Sequence, residues 1–492
     1  MELVWKDIDP VRLVADASCT VYVEGMLPPP EGRSVREVLD STAQVEVEEA
    51  RIEAEKVDIT GGITVRIIAR DNDGSVFAFE SYAGFVHSID AEGAASGMEA
   101  RITPNVTSLY TEAAPEGAKL TAEVELAMLL TSSAPMRVIS AVNGANDLEL
   151  KTCALTHTER KRLGSETLRM REELAEASVA QVISCNGLVM VRDITAERDG
   201  VSVSGVLTVS AVTADGEGHI GSIMRQVPFR EKLGIETDAS DIYCTAQLDS
   251  VAMHTLGEEF ALMTMEAEIT FTLYGRTRRE LILPTDAFSP TVGFDCLPEE
   301  IGILNDMDRI TVQTQFKEAI TLPESTAEIA APLFAAARPV VTSVESGKAQ
   351  SIVNGIFATT LVYESIGGNI YTYTEDVPFS LPIANELGCN MPRVSCKCGV
   401  QPTGSADRTV QLAYTVQFDA EMYSVERAEA VVGLAEKEPP QRREGLIVAF
   451  ASQGDTVFDI AKRYSVPCAE VKKLNPDAKE PFREGESLMM LI

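Results

Sequence analysis

Histidine is the commonest general base and metal ligand at neutral pH. The chain holds four, His87, His157, His219 and His254, and none forms a spaced pair of the HExxH kind. A His-centred hydrolytic or metal site is therefore not expected. Cysteine is the next candidate. Nine are present, and one group, Cys389, Cys396 and Cys398, is close in sequence. Its C-x6-C-x-C spacing lacks the CxxC step of a zinc knuckle, and no His lies nearby to complete a ligand set. If Ser395 to Val400 is a strand, Cys396 and Cys398 share one face. Cys185 and Cys244 sit in apolar or alternating contexts that suit buried free thiols. P-loop and GxGxxG phosphate cradles are absent. Asp and Glu number 75, so a glycosidase-type carboxylate pair is compatible with the composition, but a charge-rich surface accounts for them equally well. The string Arg276-Thr277-Arg278-Arg279 reads as a solvated turn among acidic segments. The expectation is a protein that is not an enzyme and uses neither metal nor cofactor.

The residues with the most informative spacing lie at the C-terminus. Gly454-Asp455-Thr456 turns into a helix, and Asp455 or Thr456 can cap its free N–H groups. Val457, Ile460, Ala461 and Tyr464 then fall on one helical face. Pro467 starts a second helix with Val466, Val471 and Leu474 as its buried stripe, and Asn475-Pro476 ends it, because proline disfavours helix at the residue before it. Leu446 to Ala451 and Ser487 to Ile492 are strands on either side. A polar stretch from Ala435 with Pro439-Pro440 reads as a linker.

The chain that carries this tail is 492 residues long, which suggests about three to five domains. Hydrophobic residues make up 45% and charged residues 24%, so real cores can form. The formal net charge is −33. That excludes nucleic acid as a partner, since phosphate binding is dominated by Lys and Arg, and it opposes docking on anionic lipid. The last 48 residues hold 7 acidic and 6 basic side chains, a net of −1, so the first 444 carry −32. The N-terminus MELVWKDIDPVRLV has no basic, apolar or cleavage region of a signal peptide. No run approaches the roughly 18 apolar residues of a membrane span. The expected location is the cytoplasm.

A repeat of period 150 organises the remainder. Val227-Pro228-Phe229 returns as Val377-Pro378-Phe379, and at the same offset Gly205 matches Gly355, Gly218 matches Gly368 and Val191 matches Val341. Gly200 to Val212 alternates apolar and polar, turns at Asp215-Gly216-Glu217-Gly218 and returns as Ile220 to Phe229; Ser351 to Tyr363 and Ile370 to Phe379 do the same across Gly367-Gly368-Asn369. The proline of each VPF cannot donate to a ladder and belongs at a strand end or an edge. A divergent first copy is expected from the hairpin Gly62–Ala69 and Val76–Phe85; it lacks VPF and has Ala83-Gly84-Phe85 there. Glu173 to Ile183 and Pro323 to Phe334 read as short helices covering a sheet face. The fold class is mainly β: tandem antiparallel repeats at 1–150, 151–310 and 311–435, a linker at 436–444 and a small βααβ domain at 445–492.

The string from Gln453 to Ile492 resembles a LysM domain along nearly its whole length, through Gly454, Asp455, Thr456, Phe458, Ile460, Ala461, Tyr464, Leu474, Asn475, Pro476, Gly485 and Leu488. That resemblance implies binding of N-acetylglucosamine-containing glycan, such as peptidoglycan. The groove would lie between Gly454, Asp455, Thr456 and Val457 on one loop and Asn475, Pro476, Asp477 and Ala478 on the other. The same residues also cap and stop the helices. The preceding repeats resemble SPOCS domains, with a 23-residue step from Gly205 to Pro228 and from Gly355 to Pro378. Tandem SPOCS-like copies before one LysM-like tail resemble the SipL-like family of spore-coat morphogenesis proteins. The resemblance implies a structural adaptor of spore-envelope assembly on the mother-cell side of the forespore, binding a stage IV sporulation protein A-like ATPase. The alternative is a cell-wall protein that binds peptidoglycan.

Overall fold

A computed structural model describes residues 2–8, 10–143, 147–175, 179–237, 241–256, 262–347, 349–384, 393–438 and 445–491. Cys389 and residues 439–444 of the expected linker lie outside them. The described chain is mainly β, with two short helices near its end. It opens with β1 (Glu2–Ile8), followed by β2 (Arg12–Leu27), β3 (Glu37–Glu53), β4 (Lys56–Arg70), β5 (Val76–Asp90), β6 (Glu99–Ala114) and β7 (Gly117–Ser132). β8 (Met136–Asn143) returns to pair with β1. Six strands follow: β9 (Glu149–Ala175), β10 (Gln181–Glu197), β11 (Gly200–Ala214), β12 (Ile220–Leu233), β13 (Asp241–Leu256) and β14 (Leu262–Phe288). Six more are β15 (Phe294–Thr321), β16 (Ile329–Ser346), β17 (Gln350–Ser365), β18 (Ile370–Ala384), β19 (Arg393–Ala406) and β20 (Thr409–Glu436). β15 runs across position 310, because its ladder with β20 begins at Phe294.

The strands assemble by one rule used three times. A meander of three consecutive strands makes one sheet, β3-β4-β5, β10-β11-β12 or β16-β17-β18. The strand before each meander and the two after it make the facing layer, as β2-β7-β6, β9-β14-β13 and β15-β20-β19. Each pair of sheets closes on its own apolar core: Ile59, Ile63 and Leu120 in the first, Leu207, Met265 and Phe271 in the second, and Phe357, Tyr414 and Phe418 in the third. The first and third facing layers are joined by a single bridge between Ile303 and Arg12.

Each meander repeats the same close contact. Gly61, Gly205 and Gly355 sit on the central strands opposite Phe85, Phe229 and Phe379. On the other side each faces a bulge in the first strand, between Val47 and Glu49, Val191 and Asp193, and Val341 and Ser343. A methyl group on Gly205 or Gly355 would lie 2.5 Å from the Phe ring carbon Cζ, and on Gly61 it would lie 3.0 Å away. The ring therefore lies across space that only glycine leaves, and the bulge bends the strand to admit it. The Gly-to-Phe step is the same 24 residues in all three copies, so Phe85 holds the place of the VPF phenylalanines. The hairpin turns match as well. Asp71 Oδ1 accepts from the amides of Asp73 (2.9 Å) and Ser75 (3.0 Å), and Asp215 Oδ1 from those of Glu217 (2.8 Å) and His219 (2.9 Å). Gly74, Gly218 and Gly368 take φ of 89°, 86° and 75°, where other residues are strained.

Three expectations need correction. Glu173–Ala175 ends β9 and Gln181–Ile183 begins β10, while 176–178 are not described. Likewise, Ile329–Phe334 begins β16 after a turn in which the Thr326 amide donates to the Pro323 carbonyl. The described residues of neither segment form a helix. Their Ala and Glu content favours one, but the partner strands decide, and Leu168, Met170 and Leu174 pack inward with the even spacing of a strand. Arg276 is not in a turn either. It lies within β14, bonded to Asp241 at 2.8 Å and stacked 5.4 Å over the Tyr243 ring.

The sandwiches meet at both ends. Ile68, Val212, Phe334 and Val362 of the three meanders share one apolar cluster. Met136 of β8 and Leu283, Ile303 and Ala430 of the long strands share another. The scarce cations cross the seams. Arg66 donates to the Cys185 carbonyl, Arg70 to that of Ile370 (3.5 Å) and Arg338 to that of Thr107 (3.3 Å). Overpacking a core typically costs about 1–3 kcal/mol. Gly355→Ala is therefore expected to destabilise the third sandwich by about 2 kcal/mol, read as an earlier midpoint in chemical unfolding. Gly404→Ala, which places its methyl in open space, should leave the midpoint nearly unchanged.

Candidate functional site

The last described segment runs β21 (Leu446–Phe450), α1 (Val457–Tyr464), α2 (Cys468–Leu474) and β22 (Ser487–Leu491), with β21 antiparallel to β22. Short helices need their ends satisfied, and the loop residues do this. Thr456 is the N-cap of α1. Its hydroxyl accepts from the Asp459 amide, and Asp459 accepts from the Thr456 amide at 2.9 Å, a reciprocal capping box. Asp455 does not cap the helix. Its carboxylate accepts from the Ser452 amide and from Arg463, each at 2.8 Å. Gly454 turns at φ 89°.

Asn475 does more than end α2. Its Nδ2 donates to the carbonyls of Val471 (2.8 Å) and Met489 (2.7 Å), and its Oδ1 accepts from the Met489 amide (2.8 Å). It ties the helix end to the closing strand. The loop at Gly454–Val457 is tied to Glu480 and Phe482, residues outside both expected loops. The Gly454 amide donates to the Phe482 carbonyl (2.9 Å) and the Phe482 amide to the Asp455 carbonyl (2.8 Å). The Val457 amide donates to Glu480 (3.1 Å). Phe482 is fully buried, and its place after Pro481 was the available signal. Val457 is also a core residue. Pro476 and Asp477 are exposed and Ala478 is half-buried. Of the eight candidate residues, Gly454, Asp455, Thr456, Val457 and Asn475 are thus engaged in the fold itself.

Two further surfaces emerge. The helical side is fixed to the second sandwich. Phe458 packs edge-on against Phe288 with ring centroids 5.1 Å apart. Lys151 bonds Asp459 at 2.9 Å, Lys462 bonds Asp286 at 2.5 Å, and the Cys468 amide donates to Glu149 at 3.1 Å. The opposite side is apolar and open. Leu446, Val448, Phe450, Met489 and Leu491 are between 48% and 65% exposed. They alternate with buried Ala449, Leu488 and Met490, so all five project from one sheet face. Leu446 pairs with Leu491 and Val448 with Met489. Contiguous exposed apolar surface of this kind marks interaction sites in soluble proteins.

The remaining chemistry-bearing side chains have structural surroundings. Cys396 and Cys398 both pack on the third core, and burial pushes both thiols well up, away from the reactive thiolate. His219 Nδ1 lies 3.0 Å from Asp215 across its own turn, which raises the imidazole above its ordinary value. Among the described residues, no three His, Cys, Asp or Glu side chains group as metal ligands. Among the described residues, no helix is long and apolar enough to cross a membrane.

Residues 34–113 match the family described as SipL, SPOCS domain. The matched segment contains β3, β4 and β5 with Gly61 and Phe85, so the match falls on the copy that lacks VPF. It supports a SipL-like, sporulation-related protein. No curated protein and no solved structure matches the chain.

Replacing Asn475 with Ala removes three bonds at once, so a loss of about 2 kcal/mol is expected from a segment where an ordinary cap is worth about 1. Protection of β22 amides in hydrogen exchange of the full chain measures it. Docking should also respond to acid. Burial would push Asp459 up, but bonds from Thr456 and the Lys151 ammonium outweigh it and hold the carboxyl below its ordinary value. A lowered carboxyl stabilises the fold above about pH 4 and loses that contribution as pH falls through its folded value. Loosening of α1 below about pH 4 is therefore expected, with Asp459→Asn flattening that acid limb. An unchanged limb in the variant would contradict the assignment.

Proposed function

We propose that this chain is a structural adaptor of spore-envelope assembly, without catalytic activity, that works in the cytoplasm on the mother-cell side of the forespore. Its tail holds a stage IV sporulation protein A-like ATPase, with the β repeats as supporting surfaces. The observation that carries the reading is the open apolar face of Leu446, Val448, Phe450, Met489 and Leu491. It sits on a segment of net −1 in a chain of −33. Non-obligate interfaces are depleted of charge at their centre, and this surface has that character. The SPOCS match on the first sandwich supports the sporulation context. Under this reading the tail is a LysM-like module and all three sandwiches are SPOCS-like.

The alternative is a peptidoglycan binder that takes N-acetylglucosamine-containing glycan between the loops at Gly454–Val457 and Asn475–Ala478. It is favoured by the exposure of Pro476 and Asp477 on the second of these loops. One titration series separates the two. Val448→Glu together with Phe450→Glu alters exposed side chains only. It is expected to weaken binding of the ATPase by about tenfold or more, since charges at the centre of an apolar contact cost several kcal/mol. Wild-type affinity in the variant, or tight binding of chitooligosaccharide that displaces the ATPase, would overturn the adaptor reading.

A further inference from the structure

Three sister strands, β5, β12 and β18, each form one edge of a three-stranded meander sheet. An exposed edge strand is a template for another chain, and natural proteins block it with proline or charge. β12 and β18 carry Pro228 and Pro378 at mid-strand. Both ladders pass these prolines without a shift in register. A proline can sit there only if its missing N–H faces away from the neighbouring strand. The equivalent residue of β5, one before Phe85, is Gly84. Its N–H therefore faces the open edge, where the sisters have none.

The edge is also apolar. Val86 is 74% exposed, and Tyr82, 53% exposed, lays its ring over Gly62 and donates its hydroxyl to Glu48 at 2.6 Å. Beside it, across a groove of about 420 Å³ lined by Thr20–Glu24 and Gly84–His87, lies the edge of β2 with Tyr22 at 70% exposure. Both layers of the first sandwich thus end on the same side.

We propose that this edge joins a second copy of the chain, β5 against β5, antiparallel about a two-fold axis at Gly84. The register is self-complementary. Tyr82 of one copy faces Val86 of the other, twice, and aromatic with β-branched pairs stabilise neighbouring strands. Glu80 faces Ser88 and Ser81 faces His87, so no like charges stand opposite each other. Glu80 is in addition paired with Arg66. Gly84 meets Gly84 with outward N–H and C=O groups, a hydrogen-bonded pair. Tyr82, Val86 and Tyr22 offer roughly 400 Å² of apolar side chain per copy, about half of the ~800 Å² that each partner of a stable interface buries. The two strand edges and their polar rim supply the remainder. The pairing is isologous and closed, so it stops at two copies.

Sedimentation equilibrium of the full chain tests this. The wild type should approach the mass of two chains as concentration rises. Gly84→Pro copies the residue that the sister strands tolerate, and Val86→Lys places a charge at the seam without touching the core. Each is expected to weaken the dimer by about tenfold or more. The tail variant Val448→Glu with Phe450→Glu should leave it unchanged, which separates this contact from the proposed partner surface. A monomeric wild type, a dimer insensitive to both β5 variants, or a dimer abolished only by the tail variant would each overturn the proposal.

Discussion

A phenylalanine ring lying across a glycine on the central strand, with a bulge opposite, is the contact on which each sandwich depends. It joins all three strands of a meander at one point: the bulge of the first, the glycine of the second and the ring of the third. The bulge adds a residue and so sharpens the local twist. The ring then reaches the core, where Phe379 stacks on Phe357 with centroids 4.4 Å apart and Phe229 meets Phe271 at 5.5 Å. Any side chain on the glycine displaces the ring or the bulge. Once the meander is bent in this way, its inner face meets the layer made by the flanking strands, and its outer face is free to contribute to the cluster shared among sandwiches.

Charge then decides what the assembly can touch. Acidic side chains outnumber Lys and Arg by 75 to 42. Several of the cations serve at junctions: Arg66, Arg70 and Arg338 between sandwiches, Lys151 and Lys462 between the second sandwich and the tail. The docking of α1 fixes which side of the tail is presented. With the helices held against Phe288 and Asp286, the apolar sheet face points the other way. A module tethered by a free linker would present every side; this one presents one, which lowers the ordering cost of meeting a partner.

Much of this was legible in the residues. Period-two alternation located the hairpins of β11 with β12 and β17 with β18, because a half-buried strand must alternate. The Gly-to-Phe step was partly visible in the two VPF copies. In the first copy, identity was lost at Ala83-Gly84 while geometry was kept at Gly61 and Phe85, so a search for VPF could not find it. The failures have a common cause. Glu173–Ile183 and Pro323–Phe334 have helical composition, but pairing with strands about 90 residues away in β14, and about 30 away in β11 and β17, overrides local preference. In the tail, Thr456 and Asn475 were readable as caps, whereas the tie from Asn475 to Met489 and the loop contact through Phe482 depend on tertiary closure that no local pattern encodes.

The central claim is that three sandwiches built around the same contact are joined into one cooperative body by the clusters they share. Native-state hydrogen exchange across a denaturant series tests it most directly, because it reports the free energy at which each segment opens. The account predicts that the central strands β4, β11 and β17 are the slowest to exchange and lose protection together at one opening free energy. Loss of protection in one central strand well before the other two would show independent modules on a string and contradict the account.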